Sequence, residues 1–159
     1  MAEDPSARLA RQLALATPAL LLGGALVSQY GFGLYPCEMC MWQRYPHYAA
    51  LGFALLANFA QPRRMWTAAA ALAILVSGAI GLFHAGVEYH WWEGITGCAL
   101  TADTTGTDAL EAIMNAPLVR CDAPAWTLFG ISLAGWNFLF STASGLGILW
   151  LLSRSARQG

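Results

Sequence analysis

Four long apolar segments leave this chain few places to fold other than a lipid bilayer. Leu13–Tyr30 reads LALATPALLLGGALVSQY, Pro46–Ala60 reads PHYAALGFALLANFA, and Trp66–Val87 reads WTAAAALAILVSGAIGLFHAGV. The last, Trp126–Leu152, reads WTLFGISLAGWNFLFSTASGLGILWLL. A helix needs about 20 residues to cross a hydrocarbon core of ~30 Å. The first, third and fourth segments reach or approach that length, and the second does so if CMWQRY supplies its outer turn. Backbone groups in lipid must be satisfied within the span, so these segments should be helices. Only 11% of the 159 residues are charged, against roughly 25% in a soluble domain. The chain is too apolar to bury its surplus in a core of its own size.

The arginines give the spans a direction. All eight basic residues are Arg: Arg8 and Arg11 precede the first span, Arg63 and Arg64 separate the second and third, and Arg154 and Arg157 follow the fourth. Only Arg44 and Arg120 fall in the other loops. The positive-inside rule then places both termini in the cytoplasm. The expected architecture is an all-α membrane protein, a four-transmembrane-helix bundle forming a single integral membrane domain over residues 1–159. Its spans cover about 13–30, 44–61, 66–87 and 126–152, and its outer loops about 31–43 and 88–125. The first run exceeds a signal-peptide core of roughly 7–15 residues, and no A-x-A site follows before Cys37, so it should be retained. A net charge of −1 provides no basic face for nucleic acid.

This orientation puts all four cysteines on the oxidising side: Cys37 and Cys40 in the first outer loop, Cys98 and Cys121 in the second. Disulfides form and persist in such a compartment. Pro36 suits the first position of a helix. A helix starting there would hold Cys37 and Cys40 in its first turn, on one face, where unpaired N–H groups favour a thiolate. Arg44, four residues beyond Cys40, adds a cation to that face. Cys40 is the better candidate to exchange electrons with an acceptor at the membrane surface. Other uses of C-x-x-C remain open, namely a structural disulfide or half of a zinc site; covalent haem attachment is excluded by Met41 at the required histidine position.

Cys98 and Cys121 lie 23 positions apart, a spacing suited to closing a loop. The pair could be a structural staple. Two pairs within reach could instead pass electrons, because thiol–disulfide exchange proceeds through a mixed disulfide. Cys98, in ITGCAL, is the more approachable sulfur for another protein, and Cys121, between Arg120 and Asp122, the resolving one. Between them TDALEAIMNAP reads as a short amphipathic helix, with Asp108 and Glu111 as a capping box.

PCEMCMWQR, with the four spans and the second cysteine pair, resembles the disulfide bond formation protein B family. The resemblance implies a bacterial inner-membrane thiol:quinone oxidoreductase with its active cysteines facing the periplasm. Such a protein reoxidises a periplasmic thioredoxin-fold thiol oxidase, and its electron acceptor is a membrane quinone (ubiquinone or menaquinone). Carried over by position, Cys37 and Cys40 match the quinone-coupled pair and Arg44 the arginine of the quinone site. Cys98 and Cys121 match the pair that meets the soluble oxidase. FHAGVEYHWWEGITGC and APLVRCDAPAWTLFGISLAGWN resemble a subgroup with a compact second loop. A structural membrane scaffold and an outer-face tetrathiolate metal protein are the alternatives.

Among the remaining polar residues, His84 is the better placed of two histidines at the outer end of span three to face Cys40 and Arg44. It could donate to a quinone oxygen or relay a proton. Gln43 is a second candidate contact. His47 reads as structural, Trp91 and Trp92 as an interfacial belt. Asn137 should face the bundle, because an amide in lipid is costly. Gly78-x-x-Gly81 and Gly145-x-Gly147 suit close helix contact.

Overall fold

The computed structural model describes residues 4–96, 99–100 and 118–158. Four helices dominate: α1 (Pro5–Phe32), α2 (Glu38–Phe59), α3 (Arg63–Glu88) and α4 (Leu133–Gln158). Between α3 and α4 lie two short antiparallel ladders, β1 (Ala99–Leu100) with β2 (Leu118–Val119), and β3 (Thr127–Leu128) with β4 (Ile131–Ser132). Each helix packs against its neighbours in chain order, and α4 closes the ring against α1. α1, α3 and α4 are each long and apolar enough to cross a membrane. Large side chains such as Leu20, Leu55, Leu72 and Leu146 remain exposed around the bundle, as a lipid-facing surface requires.

Local chemistry sets the helix ends. Asp4 caps α1 by accepting the Ser6 N–H at 3.1 Å, and Pro5 opens the helix with its fixed φ. Gly33, at φ 68°, ends α1 in the left-handed conformation that a side chain resists. α1 therefore begins eight residues before the apolar run at Leu13. α2 starts later than Pro36 suggested. Cys37 is its N-cap, and the Cys37 Sγ accepts the Cys40 N–H at 3.2 Å. The proline lies outside the helix, and the sulfur takes a place more often held by a hydroxyl or carboxylate.

The fourth helix departs furthest from the expected span. Residues 126–132 form the β3–β4 hairpin, and α4 begins at Leu133. Phe129 and Gly130 have φ 53° and 76°, the pair of positive values that a tight two-residue hairpin turn needs. Hydrophobicity alone could not separate this hairpin from the helix, because Trp126, Leu128, Phe129 and Ile131 are as apolar as the span. The β1–β2 ladder sets Ala99 opposite Val119, bringing the chain after position 98 beside the chain that leads to Cys121. Cys98 itself and the amphipathic helix expected over TDALEAIMNAP lie outside the described residues.

Two cores divide the bundle. Small side chains fill the end that carries both termini, where Ala10, Ala14, Ala50, Ala54, Ala70 and Ala71 pack around Ile74, Ile148 and Leu152. The other end is filled by Cys37, Met39, Val87 and Cys121. Between α3 and α4 the approach is close. A Cβ on Gly81 would lie 3.0 Å from the Ala134 carbonyl oxygen, and one on Gly78 3.1 Å from the Ser141 Cβ. Around Gly147 there is nothing within 4 Å. Gly81→Val should therefore destabilise the bundle by about 1–3 kcal/mol, while Gly147→Val should be close to neutral. Denaturation of the purified variants in detergent checks the contrast.

Candidate redox site

α2 carries most of the site on one face. Cys40, Gln43, Arg44 and His47 fall at i, i+3, i+4 and i+7, the spacing of a helical stripe. Gln43, Arg44 and His47 are buried. Arg44 reaches α1, donating to the Gln29 Oε1 at 2.6 Å and the Ala25 carbonyl at 3.3 Å. It is thus a buried clamp between α1 and α2, not a side chain reaching for the interface.

Behind it runs a continuous chain of polar groups. Gln43 Nε2 donates to the His84 Nδ1 at 2.8 Å and to the Met39 carbonyl at 3.3 Å. Asn137 Nδ2 donates to the Gln43 Oε1 at 2.9 Å, and to Ser77 Oγ and its carbonyl at 3.1 and 3.2 Å. Asn137 Oδ1 accepts from Ser141 Oγ and from His47 Nε2, both at 3.0 Å. Asn137 was expected to face the bundle, and it is the junction of α2, α3 and α4. Since an amide N–H fills the His84 Nδ1, the ring proton sits on Nε2. That nitrogen lies 3.6 Å from the Cys37 Sγ and 3.7 Å from the Glu88 Oε1.

The sulfurs gather at the His84 end of this chain. Cys37 and Cys40 are free thiols with their Sγ atoms in contact at 2.7 Å. Cys121 Sγ, Cys37 Sγ and the nearer His84 nitrogen all lie within 4.8 Å of one another. This proximity joins the α3–α4 connection to the α1–α2 loop across 84 residues of sequence, and motif spacing held no signal of it. The contact between the two thiols divides their acidity. Cys37 is pushed up, chiefly by its hydrogen bond with Cys40 and then by burial. Cys40, in the turn ahead of residues 44–61, is held below the ordinary thiol range, first by the Cys37 thiol. Arg44 lowers it as well, in the direction the sequence led one to expect, with the Cys37 thiol ahead of it. Next to Cys121, Arg120 forks onto Asp122 at 2.8 and 2.6 Å and holds that exposed carboxyl down at about 2.

Two hollows meet at these residues. A cavity of about 270 Å³ lies between α1, α2 and α4, walled by leucines and Trp136 and by Cys40, Gln43, Arg44, His47 and Asn137. A cleft of about 330 Å³ opens beyond it, lined by Cys37, Cys40, His84, Glu88 and Arg120. Among the described cysteines, only Cys40 lines both. His84 lines the cleft and not the apolar cavity; it faces Cys37, where Cys40 and Arg44 were expected. His90 is exposed just past the end of α3. His47, read from sequence as structural, is in the cavity wall; its position seven residues after Cys40 was the available signal. Trp91 and Trp92 are exposed as a belt would be, and Trp92 also stacks on Phe83 and donates to its carbonyl.

Comparison with known proteins agrees with this arrangement. The family model for disulfide bond formation protein DsbB matches residues 7–151. Disulfide bond formation protein B of Verminephrobacter eiseniae is 34% identical, covering 94% of this chain and 88% of its own. The Polaromonas sp. protein of the same name is 32% identical, covering 95% and 93%, and disulfide bond formation protein B 2 of Pseudomonas syringae is 32% identical over 82% and 78%. No solved structure matches the chain. The chain belongs to the disulfide bond formation protein DsbB family, a family of multi-pass membrane proteins with a role in disulfide bond formation.

The unequal thiols predict unequal reactivity. In reduced protein at neutral pH, an alkylating reagent should modify Cys40 several-fold faster than Cys37, because the thiolate is the reacting species. Peptide mapping by mass spectrometry after timed quenching reads the order; Cys37 modified first would contradict it.

Proposed function

We propose that this protein is a thiol:quinone oxidoreductase that reoxidises a periplasmic thioredoxin-fold dithiol protein. The observation that carries this reading is the place of Cys40, shared by a cleft that Cys37 also lines and an apolar cavity between helices. The four helices would all be spans, with both termini in the cytoplasm and the cysteines outside. Residues 1–159 would form one membrane domain.

The exchange steps balance. A reduced dithiol partner attacks the Cys98–Cys121 disulfide through Cys98; the partner leaves oxidised, and Cys98 and Cys121 become thiols. The Cys121 thiolate attacks Cys37 of the Cys37–Cys40 disulfide, forming Cys37–Cys121 and releasing the Cys40 thiolate. Cys98 then attacks Cys121, restoring Cys98–Cys121 and freeing Cys37. The Cys37 and Cys40 thiols now hold two electrons and two protons. His84, with its proton on Nε2, is placed to donate to the Cys37 sulfur as charge develops there. The second step needs Cys121 and Cys37 in contact, which the 4.8 Å cluster supports.

The cavity suits a quinone. Its wall is largely apolar, and its guanidinium can donate to a carbonyl oxygen. Arg44, Gln43 and Cys40 would hold the ring. A bound quinone would supply a two-electron, two-proton sink. The partner is itself a strong oxidant, so its electrons need an acceptor at least as oxidising, which a glutathione-type pool is not.

Arg44→Ala should raise the KM for quinone roughly tenfold or more, since a hydrogen bond from a charged group contributes about 1.5–3 kcal/mol. The KM for the dithiol protein should stay unchanged. Steady-state quinone reduction by purified protein measures both, and unaltered quinone kinetics would remove Arg44 from the site. In a Cys40→Ser, Cys98→Ser double variant, mild oxidation should close Cys37–Cys121 within one chain, visible by non-reducing peptide mapping.

The cluster of Cys37, His84 and Cys121 also favours a second reading, an outer-face site for a thiophilic cation. A mass tag for free thiols separates the two. A metal site predicts thiols freed by a chelator, a stapled scaffold predicts inert disulfides, and the redox reading predicts disulfides that open with reduced partner and close with quinone.

A further inference from the structure

We propose that His47 makes the cavity selective for the reduced, hydroxyl-bearing form of the quinone, by accepting a hydrogen bond at Nδ1. The proposal rests on the quinone reading above and names a residue and a preference that the reading does not require. His47 is 3% exposed. Its Nε2 meets the Asn137 Oδ1 at 3.0 Å, and its Nδ1 is buried without a partner. Which nitrogen carries the proton follows from Asn137. That amide is held in one orientation, because its Nδ2 donates to Gln43 Oε1, Ser77 Oγ and the Ser77 carbonyl. Turning it over would set an oxygen against the Gln43 and Ser77 carbonyl oxygens and abandon the bond from Ser141. Oδ1 must therefore face His47 and needs a donor there, so the proton is on Nε2. Nδ1 is left with a lone pair.

A lone pair in an apolar wall discriminates between ligands. Leaving a buried acceptor unsatisfied is costly, and a partner that donates recovers that cost. A quinone carries only acceptor oxygens and offers Nδ1 nothing. Its two-electron, two-proton product carries two O–H donors. Arg44 has the opposite character: its guanidinium can only donate, and it suits a carbonyl oxygen. The same helical stripe thus presents a donor at position 44 and an acceptor at position 47, one matched to the oxidised ring and one to the reduced ring. His47 is a binding and specificity residue and needs no part in electron transfer.

The test measures binding instead of turnover. Fully oxidised protein in detergent, with no free thiol to consume quinone, is titrated anaerobically with decylubiquinone and with its hydroquinone by calorimetry. Wild-type protein should bind the hydroquinone more tightly. His47→Leu should weaken hydroquinone binding roughly tenfold while changing quinone binding less than about twofold. His47→Gln, whose side-chain oxygen can accept, should regain part of the difference. Equal losses for both forms, or none, overturn the proposal and leave the quinone site standing. Wild-type protein that binds neither form overturns both. A spectrum of ¹⁵N-histidine-labelled wild-type protein provides a check without substitution. Nδ1 of His47 should be unprotonated and should shift on adding hydroquinone; a proton on Nδ1 is the contrary result.

Discussion

The hydrogen bonds of Gln43 hold the cysteine-bearing half of this bundle in one arrangement. In lipid no water is present to satisfy a polar side chain, and an unsatisfied group costs several kcal/mol. The chain nevertheless places Gln43, His47, Ser77, His84, Asn137 and Ser141 between its helices. Each finds a partner in another, and the pattern that satisfies them links α2, α3 and α4. A single interhelical hydrogen bond in a membrane contributes only about 0.6 kcal/mol on average. The network is therefore better understood as fixing register than as supplying stability. The register it fixes puts the first turn of α2, with both of its cysteines, against the C-terminal end of α3.

Charge and proton placement follow from that geometry. His84 receives its hydrogen bond at Nδ1 from Gln43, which leaves Nε2–H for the side where Cys37 and Glu88 lie. His47 carries its proton on the same nitrogen, but there the Nε2–H is spent on Asn137 and Nδ1 is the side left over. Two histidines on two helices are thus set as tautomers by two amides that are themselves hydrogen-bonded to each other. Arg44 works differently from a simple thiolate stabiliser. Its bonds to Gln29 and Ala25 draw α1 against α2 and close one side of the cavity, while the Cys37 thiol does more than Arg44 to lower Cys40.

Much of this was legible in the sequence because membranes impose simple rules. The apolar runs announced helices, the glycines of Gly78-x-x-Gly81 announced a close crossing, and PCEMCMWQR announced the family. What escaped was of two kinds. Hydropathy cannot tell a span from an apolar hairpin, so the start of the fourth segment read as helix where Phe129 and Gly130 turn the chain. Contacts between distant residues leave no local mark either. Nothing near Arg44 points to Gln29, and nothing near Cys121 points to Cys37 or His84. His47, which reads as structural, does bond Asn137 on α4, and apart from its spacing from Cys40 its place in the cavity wall has no mark in the sequence near it. Cys98 lies outside the described residues, so its role still rests on the motif.

If Cys40 is the point where electrons leave the sulfurs for the cavity, the reduced protein alone should carry out one turnover. Reduced protein is mixed anaerobically with excess quinone, and the hydroquinone formed is compared with the Cys37–Cys40 disulfide found by mapping. Equal amounts of the two are expected, with no hydroquinone from Cys40→Ser. Disulfide formation without hydroquinone, or undiminished quinone reduction by Cys40→Ser, would contradict the placement of Cys40 on which the function depends.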